Sequence, residues 1–326
     1  MRLRAFVMLA LSLPALCAAA PALGVFTIVE GEAVVIRDSA RFAVAEGLQF
    51  QADDIVHTGD NAQIVRMELA QGAVVDLGPG TRLLLKPRFA PPGDRPTQAY
   101  LLQGWVKLTA AAAHKMGFSS PRMDVTELAG VAVARASEDL TFLFVESGTA
   151  KLVERGGQPR AHQLAGGAAY ERRGAEEGAV MSRPAADVVK TMPRAFADTL
   201  PLRARRFQDT QVVPTSPVEV GYDDVAAWIN TERALRPAFV QRWTAKARDP
   251  RFRSALIADL RNHPEWDRVL FPEKYLPKPK PPAAVAAASA AAPSTAPAAP
   301  PVTSLPESKP LDPDRDPLRP WEVRRR

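Results

Sequence analysis

Residues 47–85 read GLQFQADDIVHTGDNAQIVRMELAQGAVVDLGPGTRLLL, and their apolar residues recur with a period close to two. Val65, Met67 and Leu69 can share one face of an extended strand. Arg66 and Glu68, which alternate with them, then point away from that face. The stretch therefore predicts short β-strands that each bury one face.

The same alternation continues outward on both sides, from Gly24 to Tyr170. Glycine supplies the positive φ of a tight hairpin turn, so we expect hairpins where a glycine divides two apolar runs. These dipeptides are Glu30-Gly31, Gln71-Gly72, Gln103-Gly104 and Ser147-Gly148. The proline-rich residues 87–96 predict a loop, because proline cannot donate to a sheet ladder. Residues 23–170 therefore predict a mainly β domain of stacked short hairpins, arranged as a sandwich or as a solenoid-like module.

Helical signals replace this pattern over residues 222–276, after a connecting segment at residues 171–221. Asp223 and Asp224 can cap one helix, Pro237 can begin a second, and Asp249-Pro250 supplies an N-cap and a first-turn proline for a third. Three tryptophans fall at helical spacing and predict the core of this unit: Trp228, Trp243 and Trp266. Because about 55 residues bury little surface alone, we expect the unit to pack on the β domain or on a partner.

The two ends of the chain have compositions of their own. Residues 1–22 combine Arg2 and Arg4, an apolar run and a small-residue site, which predicts a signal peptide cleaved after Ala22 and a periplasmic or extracytoplasmic location. No later window resembles a membrane span, so we expect no integral membrane segment after cleavage. Residues 277–326 hold 13 prolines and predict a disordered Pro/Ala-rich tail.

Composition removes several function classes. The net charge of +6 over 326 residues is modest, so we expect no nucleic-acid partner. The only cysteine, Cys17, lies in the predicted signal peptide, which excludes thiol catalysis and a cysteine-based zinc site from the mature chain. We expect no catalytic, cofactor-binding or metal-binding residues.

The quoted stretch resembles the FecR-type domain, whose pattern has an aspartate before an apolar strand, a Thr-Gly pair, a turn glycine and an LGPGT step. The matching motif residues are Asp54, Thr58, Gly59, Gly72, Gly78, Pro79, Gly80 and Thr81, with Gly104 and Gly148 in the downstream segments LLQGWVKLTA and FVESGTAKLVERG. The resemblance covers about residues 24–170. It implies a periplasmic, β-rich, non-catalytic module, typified by regulators that relay occupancy of an outer-membrane receptor to a cytoplasmic sigma factor.

Three functions are compatible with the sequence. The first is an exported, non-catalytic FecR-like binding module of the cell envelope that senses or relays signals through a separate membrane partner. The second is a structural envelope protein that binds cell-wall polymer. The third and minor alternative is a hydrolase with an acid–base pair at His57 and Asp60, although a strand followed by an acidic turn is the favoured explanation of these residues.

The partner is accordingly an envelope protein or a cell-wall polymer, and the oligomeric state stays open. Two further features are candidate interaction sites. The basic residues Arg203, Arg205 and Arg206 could meet an anionic surface, and so could Trp321 beside the C-terminal arginines.

Overall fold

The structure of the protein is a computed structural model that describes residues 21–85, 98–111, 113–210, 212–214 and 216–276. Several predicted features lie outside the described residues: most of the signal peptide, the proline-rich loop at residues 87–96, the tail at residues 277–326, and Trp321 within that tail.

Sixteen β-strands occur in the described residues and are joined by hydrogen bonds into one sheet. They are β1 (Ala22–Glu30), β2 (Ala33–Arg37), β3 (Ala40–Ala43), β4 (Gln49–Gln51), β5 (Ile55–Thr58), β6 (Ile64–Leu69), β7 (Val74–Leu77), β8 (Arg82–Leu85), β9 (Ala99–Thr109), β10 (Met116–Ser119), β11 (Met123–Ala136), β12 (Leu140–Glu154), β13 (Ala161–Ala165), β14 (Ala169–Arg173), β15 (Ala179–Met181) and β16 (Val218–Glu219).

Helices occur in the C-terminal part of the described chain. They are α1 (Ala186–Thr191), α2 (Tyr222–Ile229), α3 (Arg236–Trp243), α4 (Pro250–Ala258) and α5 (Asp267–Leu270), together with 3-10 turns at Arg194–Ala197, Ala204–Phe207, Thr244–Arg248, Pro264–Trp266 and Pro272–Tyr275. The predicted fold class, mainly β with a small C-terminal helical unit, is confirmed.

The three longest strands, β9, β11 and β12, enclose the main hydrophobic core. One half of β9 pairs with β8 and the other half with β7 and β11. In the same way, β12 pairs with β14 through its first half and with β13 through its second. The apolar residues of these strands and of β6 meet inside, where Val65, Met67 and Leu101 are completely buried. The predicted apolar face of β6 is therefore confirmed.

Of the four glycine turns, Gln71-Gly72 forms the predicted hairpin, between β6 and β7. The prediction is wrong at Glu30-Gly31, because β1 pairs with β4 and β6 instead of with β2. It is also wrong at Gly104 and Gly148, which lie inside the continuous strands β9 and β12.

Positive φ angles at Gly104 and Gly148 bend strands instead of ending them. At Gly104 φ is +97°, and a Cβ would lie 2.4 Å from the Cα of Thr81. Gly148 has a φ of +82° and pairs across the ladder with Gly130, where a Cβ on Gly148 would lie 1.9 Å from the carbonyl oxygen of Ala129. Glycine is needed at both places because the neighbouring backbone occupies the side-chain space.

The sheet continues beyond residue 170, since β14 crosses that position and β15 follows it. Farther on, β16 adds a two-residue pairing to β3. Much of the predicted connecting segment is therefore attached to the β domain.

The helical unit, residues 222–276, packs directly on the β domain. Its three tryptophans are at most 1% exposed, and they share a hydrophobic cluster with Ile55 and Tyr100 of the sheet. These tryptophans form the predicted core.

The helix starts follow the sequence signals closely. Asp249 accepts a hydrogen bond from the backbone N–H of Phe252 as the N-cap of α4, and Pro237 lies in the first turn of α3. The N-cap of α2 is Gly221, whose N–H donates to the side chain of Asp224, so Asp223 and Asp224 lie in the first turn of that helix.

Candidate functional site

Most of the motif residues meet in one buried turn at the start of β8. The Thr58 hydroxyl donates to the carbonyl oxygen of Gly78 at 2.6 Å and accepts from the N–H of Thr81 at 2.8 Å. The Thr81 hydroxyl in turn donates to Gly78 O at 2.9 Å and accepts from the N–H of Trp105 at 3.0 Å. Gly104 is packed against Thr81, so this turn fixes the bend of β9.

Three further motif residues complete this turn, and the last three lie elsewhere in the β domain. Gly80 donates its N–H to Gly59, and Pro79 lies between the two glycines of the LGPGT step. Asp54 is 1% exposed and accepts two hydrogen bonds from Arg37. Gly72 and Gly148 lie in the hairpin and the strand bend described above. The hydrogen bonds of the motif therefore support backbone geometry.

A segment that we call the strap, residues 182–210, lies across the outer face of β6, β7 and β9. Its first half is held by apolar contacts, because Val188 and Phe196 are at most 3% exposed and pack in a cluster with Trp105 and Phe142. This half also passes over the motif turn. A Cβ on Gly78 would lie 2.8 Å from the ring of Pro193, so the glycine makes room for the strap.

The second half of the strap is held by polar contacts from β6. The carboxylate of Glu68 accepts hydrogen bonds from the backbone N–H of Arg203, at 2.8 and 3.1 Å, and from that of Ala204, at 2.9 Å. Arg66 donates to the carbonyl oxygen of Leu200 at 2.9 Å. The strap is therefore recognised through its main chain.

Arg66 and Glu68 are buried charges with defined partners. Arg66 forms a two-point ion pair with Asp76, at 2.7 and 2.9 Å, and both residues are at most 5% exposed. Burial alone would lower the pKa of Arg66, but the hydrogen bond and charge of Asp76, with the charge of Glu68, outweigh it and raise that pKa. Glu68 also accepts from the hydroxyl of Thr27 at 2.8 Å.

Strap side chains contribute little to this half of the contact. No side chain from residue 197 to residue 210 is buried, and Leu202 is 66% exposed. Of the predicted basic cluster, Arg205 and Arg206 extend into solvent, whereas Arg203 is half-buried and provides its backbone N–H. Because the sheet binds main-chain groups, the face can hold segments of different sequence that form the same turn.

His57 has a different environment from the one an acid–base site requires. Its Nε2 accepts a hydrogen bond from the indole N–H of Trp228 at 2.8 Å, and the planes of the two rings are nearly parallel. Burial, with a smaller contribution from the charge of Arg82, lowers the pKa of His57 to about 4. The lone pair that a general base would use is occupied, so His57 links β5 to α2.

A second set of polar contacts fastens the helical unit. The guanidinium of Arg242 donates to the carbonyl oxygens of Ile36, Asp38 and Asp53, at 3.0, 3.2 and 2.7 Å. Asp38 and Asp53 have positive φ angles, of 52° and 65°, so α3 holds two strained turns of the sheet.

Sequence reasoning missed Arg66, Glu68 and Asp76 as a site. Alternation along β6 assigns its polar side chains to the face opposite the core, which is correct, but it does not show that the strap covers that face. One signal was present in the sequence. Arg66 and Asp76 lie opposite each other across the predicted β6–β7 hairpin and so could form an ion pair.

The described residues contain neither a metal-binding group nor a helix that could span a membrane. Within these ranges, no group of three or more histidine, cysteine, aspartate or glutamate residues is placed to hold a metal ion. No helix in the same part of the chain has the length and apolar character needed to cross a membrane.

Comparisons with known proteins give limited similarity. No protein-family model matches the chain, and neither does any curated protein. Two solved structures of candidate anti-sigma factors from Parabacteroides distasonis ATCC 8503 are similar to part of it. The structure at 2.50 Å resolution has 16% identity and a TM-score of 0.34 over 41% of this chain and 62% of the other. The structure at 1.65 Å has 15% identity and a TM-score of 0.30, over 38% and 57%.

The chain thus spans about three fifths of the length of these solved chains. Similarity at this level carries no argument about function, so the proposals below rest on the geometry of the chain itself.

Proposed function

We propose that this chain is a non-catalytic binding module of the cell envelope that holds a polypeptide segment, bound where it enters a turn, on the face formed by β6, β7 and β9. In the free protein the second half of the strap occupies that face. The observation that carries the proposal is the carboxylate of Glu68, which binds the adjacent backbone N–H groups of Arg203 and Ala204.

The contacts define what a competing segment must present. Arg66 binds the carbonyl oxygen of one residue, and Glu68 binds the N–H groups three and four residues farther along. Any segment that begins a turn there, as the strap does at Arg203 and Ala204, and has no proline at those two donor positions can offer the same groups. Charged hydrogen bonds of this kind are strong, at about 1.5–3 kcal/mol each, and they place few demands on side chains.

Releasing the second half of the strap from this face requires only a modest free energy. Arg66 and Glu68 regain hydration when the strap opens, which offsets the hydrogen bonds that they lose. The opening exposes no fully buried side chain of residues 197–210, but only partly buried ones such as the ring of Phe207, which lies against Gly47. A partner segment can therefore take the place of the strap.

The envelope location and the identity of the partner are further parts of this proposal. The features of residues 1–22 support export, and the partner is then an envelope protein. Signal relay through a separate membrane partner is the finer form of this function. Cell fractionation with N-terminal sequencing of the purified chain tests export. We expect a periplasmic protein that begins after Ala22, whereas a cytoplasmic protein with an intact N-terminus would contradict this part of the proposal.

The binding function can be tested with the strap's own sequence. In the test variant, residues 198–206 of the full chain are replaced by a Gly/Ser linker of equal length. A fluorescent peptide of residues 194–209, RAFADTLPLRARRFQD, is then titrated with this variant and with the unmodified chain. We expect saturable binding to the linker variant and much weaker binding to the unmodified chain, whose strap competes.

A matched control peptide carries N-methyl groups at the positions of Arg203 and Ala204, which removes the two donors to Glu68 and keeps every side chain. Its affinity should fall at least about tenfold, as expected for the loss of two charged hydrogen bonds. Equal affinity of both peptides, or no binding to the linker variant, would contradict the proposal. Co-sedimentation of the unmodified chain with purified cell wall tests the structural alternative.

A further inference from the structure

The strand β13 lies at an edge of the sheet, next to the long strand β12. Residues 161–165 pair along β12 at Thr149–Val153. No other strand pairs with β13 in the part of the chain that the structure describes. Ala161, Gln163 and Ala165 are exposed, whereas Leu164 is completely buried, so the strand is fixed to the core by one face.

The hydrogen-bond pattern shows which backbone groups of β13 point outward. Glu154 donates its N–H to the carbonyl oxygen of Arg160, across the ladder. Because backbone groups alternate in direction along an antiparallel strand, His162 and Leu164 also face β12. The N–H and C=O groups of Gln163 and Ala161 and the N–H of Ala165 therefore point away from β12, whereas the carbonyl oxygen of Ala165 accepts a hydrogen bond from the N–H of Ala168.

Other edges of the sheet are short or covered, but β13 is neither. The edge strands β15 and β16 have three and two residues, and β4 is directly preceded by a bridge between Leu48 and Val212. Natural edges are usually protected by proline, charged side chains or bulges. The sequence of β13, AHQLA, has no proline and no Lys, Arg, Asp or Glu, and its register with β12 is regular.

A basic row of side chains leads to this edge. Gln163 is paired with Lys151, Lys151 with Glu127, and Glu127 contacts Lys115 at 2.7 Å. These residues line a pocket of about 230 Å³ on the exposed face of the sheet. The two lysine side chains are 57% and 54% exposed. Both form ion pairs with Glu127, at 2.7 and 3.4 Å, so the row of two lysines and one glutamate has a net charge of +1.

We propose that the edge of β13 binds an acidic, extended polypeptide segment by strand addition. The outward backbone groups supply a ladder, and the row of Lys115 and Lys151 supplies charge complementarity. On the added strand, the residue opposite Gln163 lies two strand spacings from Lys151, roughly 10 Å. Glutamate and lysine side chains together can span that distance.

Charge also argues against a second copy of this chain as the occupant. Antiparallel pairing of two β13 strands would bring the lysine rows of both copies onto one continuous sheet, where like charges repel. An acidic segment at this edge is instead attracted to the lysines. This surface is separate from the strap face, so the inference does not depend on the function proposed above.

The test uses the full chain and a fluorescent octapeptide of alternating valine and glutamate, with a valine–lysine octapeptide for comparison. We expect the acidic peptide to bind at low salt, to weaken as salt is added, and to remain bound when the strap peptide of residues 194–209 is in excess. The basic peptide should bind at least tenfold more weakly.

The key variant is Gln163→Pro, which removes an outward N–H and leaves the inward ladder donors of His162 and Leu164 in place. Its matched control is Gln163→Thr, which keeps the N–H. We expect at least a tenfold loss of affinity for the acidic peptide in the proline variant and less than a twofold change in the threonine variant. If Gln163→Pro fails to fold, Lys151→Glu provides the test, with an expected loss of at least fivefold.

Several results would overturn the proposal. They are the absence of acidic-peptide binding, equal affinity for the two octapeptides, displacement of the acidic peptide by the strap peptide, and unchanged affinity in Lys151→Glu. Self-association in analytical ultracentrifugation that is lost in Gln163→Pro would assign the edge to a second copy and would also overturn it.

Discussion

Two C-terminal regions cover the β domain, and they are held to it by different physical means. The helical unit buries Trp228, Trp243 and Trp266 against the sheet, and each is at most 1% exposed. The second half of the strap has no fully buried side chain and is held through Arg66 and Glu68 on β6.

This difference determines which of the two regions stays bound to the sheet. Separating the helical unit would expose large aromatic surfaces to water, and burial of such surface contributes about 25 cal/mol per Å². Opening the strap exchanges polar contacts for hydration, which costs far less. One sheet thus carries a fixed cover on one face and a releasable cover on another.

The largest effect is expected from Trp228→Ala, which tests whether apolar burial fixes the helical unit. The variant loses a buried indole and the donor to His57, and we expect the free energy of unfolding to fall by about 3–5 kcal/mol in urea titrations. Ile257→Ala is the control, because this side chain on α4 is 42% exposed and its loss should cost under about 0.5 kcal/mol. A similar small loss in Trp228→Ala would remove the distinction between the two covers.

The pH dependence of unfolding tests the contact between His57 and the helical unit. The pKa of His57 is lowered to about 4 in the folded chain, against an ordinary value of 6.5. Between these values the unfolded chain binds more protons, so the stability that this group contributes at neutral pH is lost as pH falls.

The chain should therefore lose about 3 kcal/mol relative to a His57→Gln variant as pH falls from 7 to 4. Glutamine keeps a neutral acceptor for the indole N–H and does not titrate. The measurement is urea unfolding of both proteins across this pH range. Parallel pH profiles would show that His57 is not the buried neutral acceptor described here.

The substitution Glu68→Gln should make the second half of the strap open more easily. An amide replaces the carboxylate, so we expect the free energy of strap opening to fall by about 1–2 kcal/mol. Once the strap is open, residue 68 is hydrated in either form, so the loss of global stability cannot exceed the cost of opening. Hydrogen exchange at the amides of Arg203 and Ala204 reports the change. Glu138→Gln, at an exposed turn, should leave both exchange rates as they are.

The smallest effect is expected at Leu202, which is the apolar side chain nearest to the Glu68 contact in sequence. It is 66% exposed, so Leu202→Ser should change both the opening and the unfolding free energy by less than about 0.5 kcal/mol. A loss above about 1 kcal/mol would show that side-chain packing holds this part of the strap.

Local patterns in the sequence predicted the elements better than their connections. Alternation placed Met67 in the core correctly, and Asp249 caps α4 as its position before a proline predicts. Gly104 and Gly148 have the expected positive φ, yet they bend long strands. A positive φ is a local property, whereas pairing depends on distant strands, so the glycine alone cannot distinguish a hairpin from a bend.

The candidate site was hidden for a related reason. Glu68 lies in a strand that alternates as a half-exposed strand should, but its partners on the strap are more than 130 residues away along the chain. Those partners are backbone groups, which carry no sequence signature. Arg242 was missed for the same reason, because its partners are the carbonyl oxygens of turns far away in the sequence.

Native-state hydrogen exchange at increasing urea concentration tests the central claim most directly. The amides of Arg203 and Ala204 report the strap, and the amide of Leu256 within α4 reports the helical unit. We predict that the strap amides exchange through a local opening, at least about 2 kcal/mol easier than global unfolding and nearly independent of urea, while Leu256 exchanges only with global unfolding. Equal protection and equal urea dependence at all three amides would contradict the account.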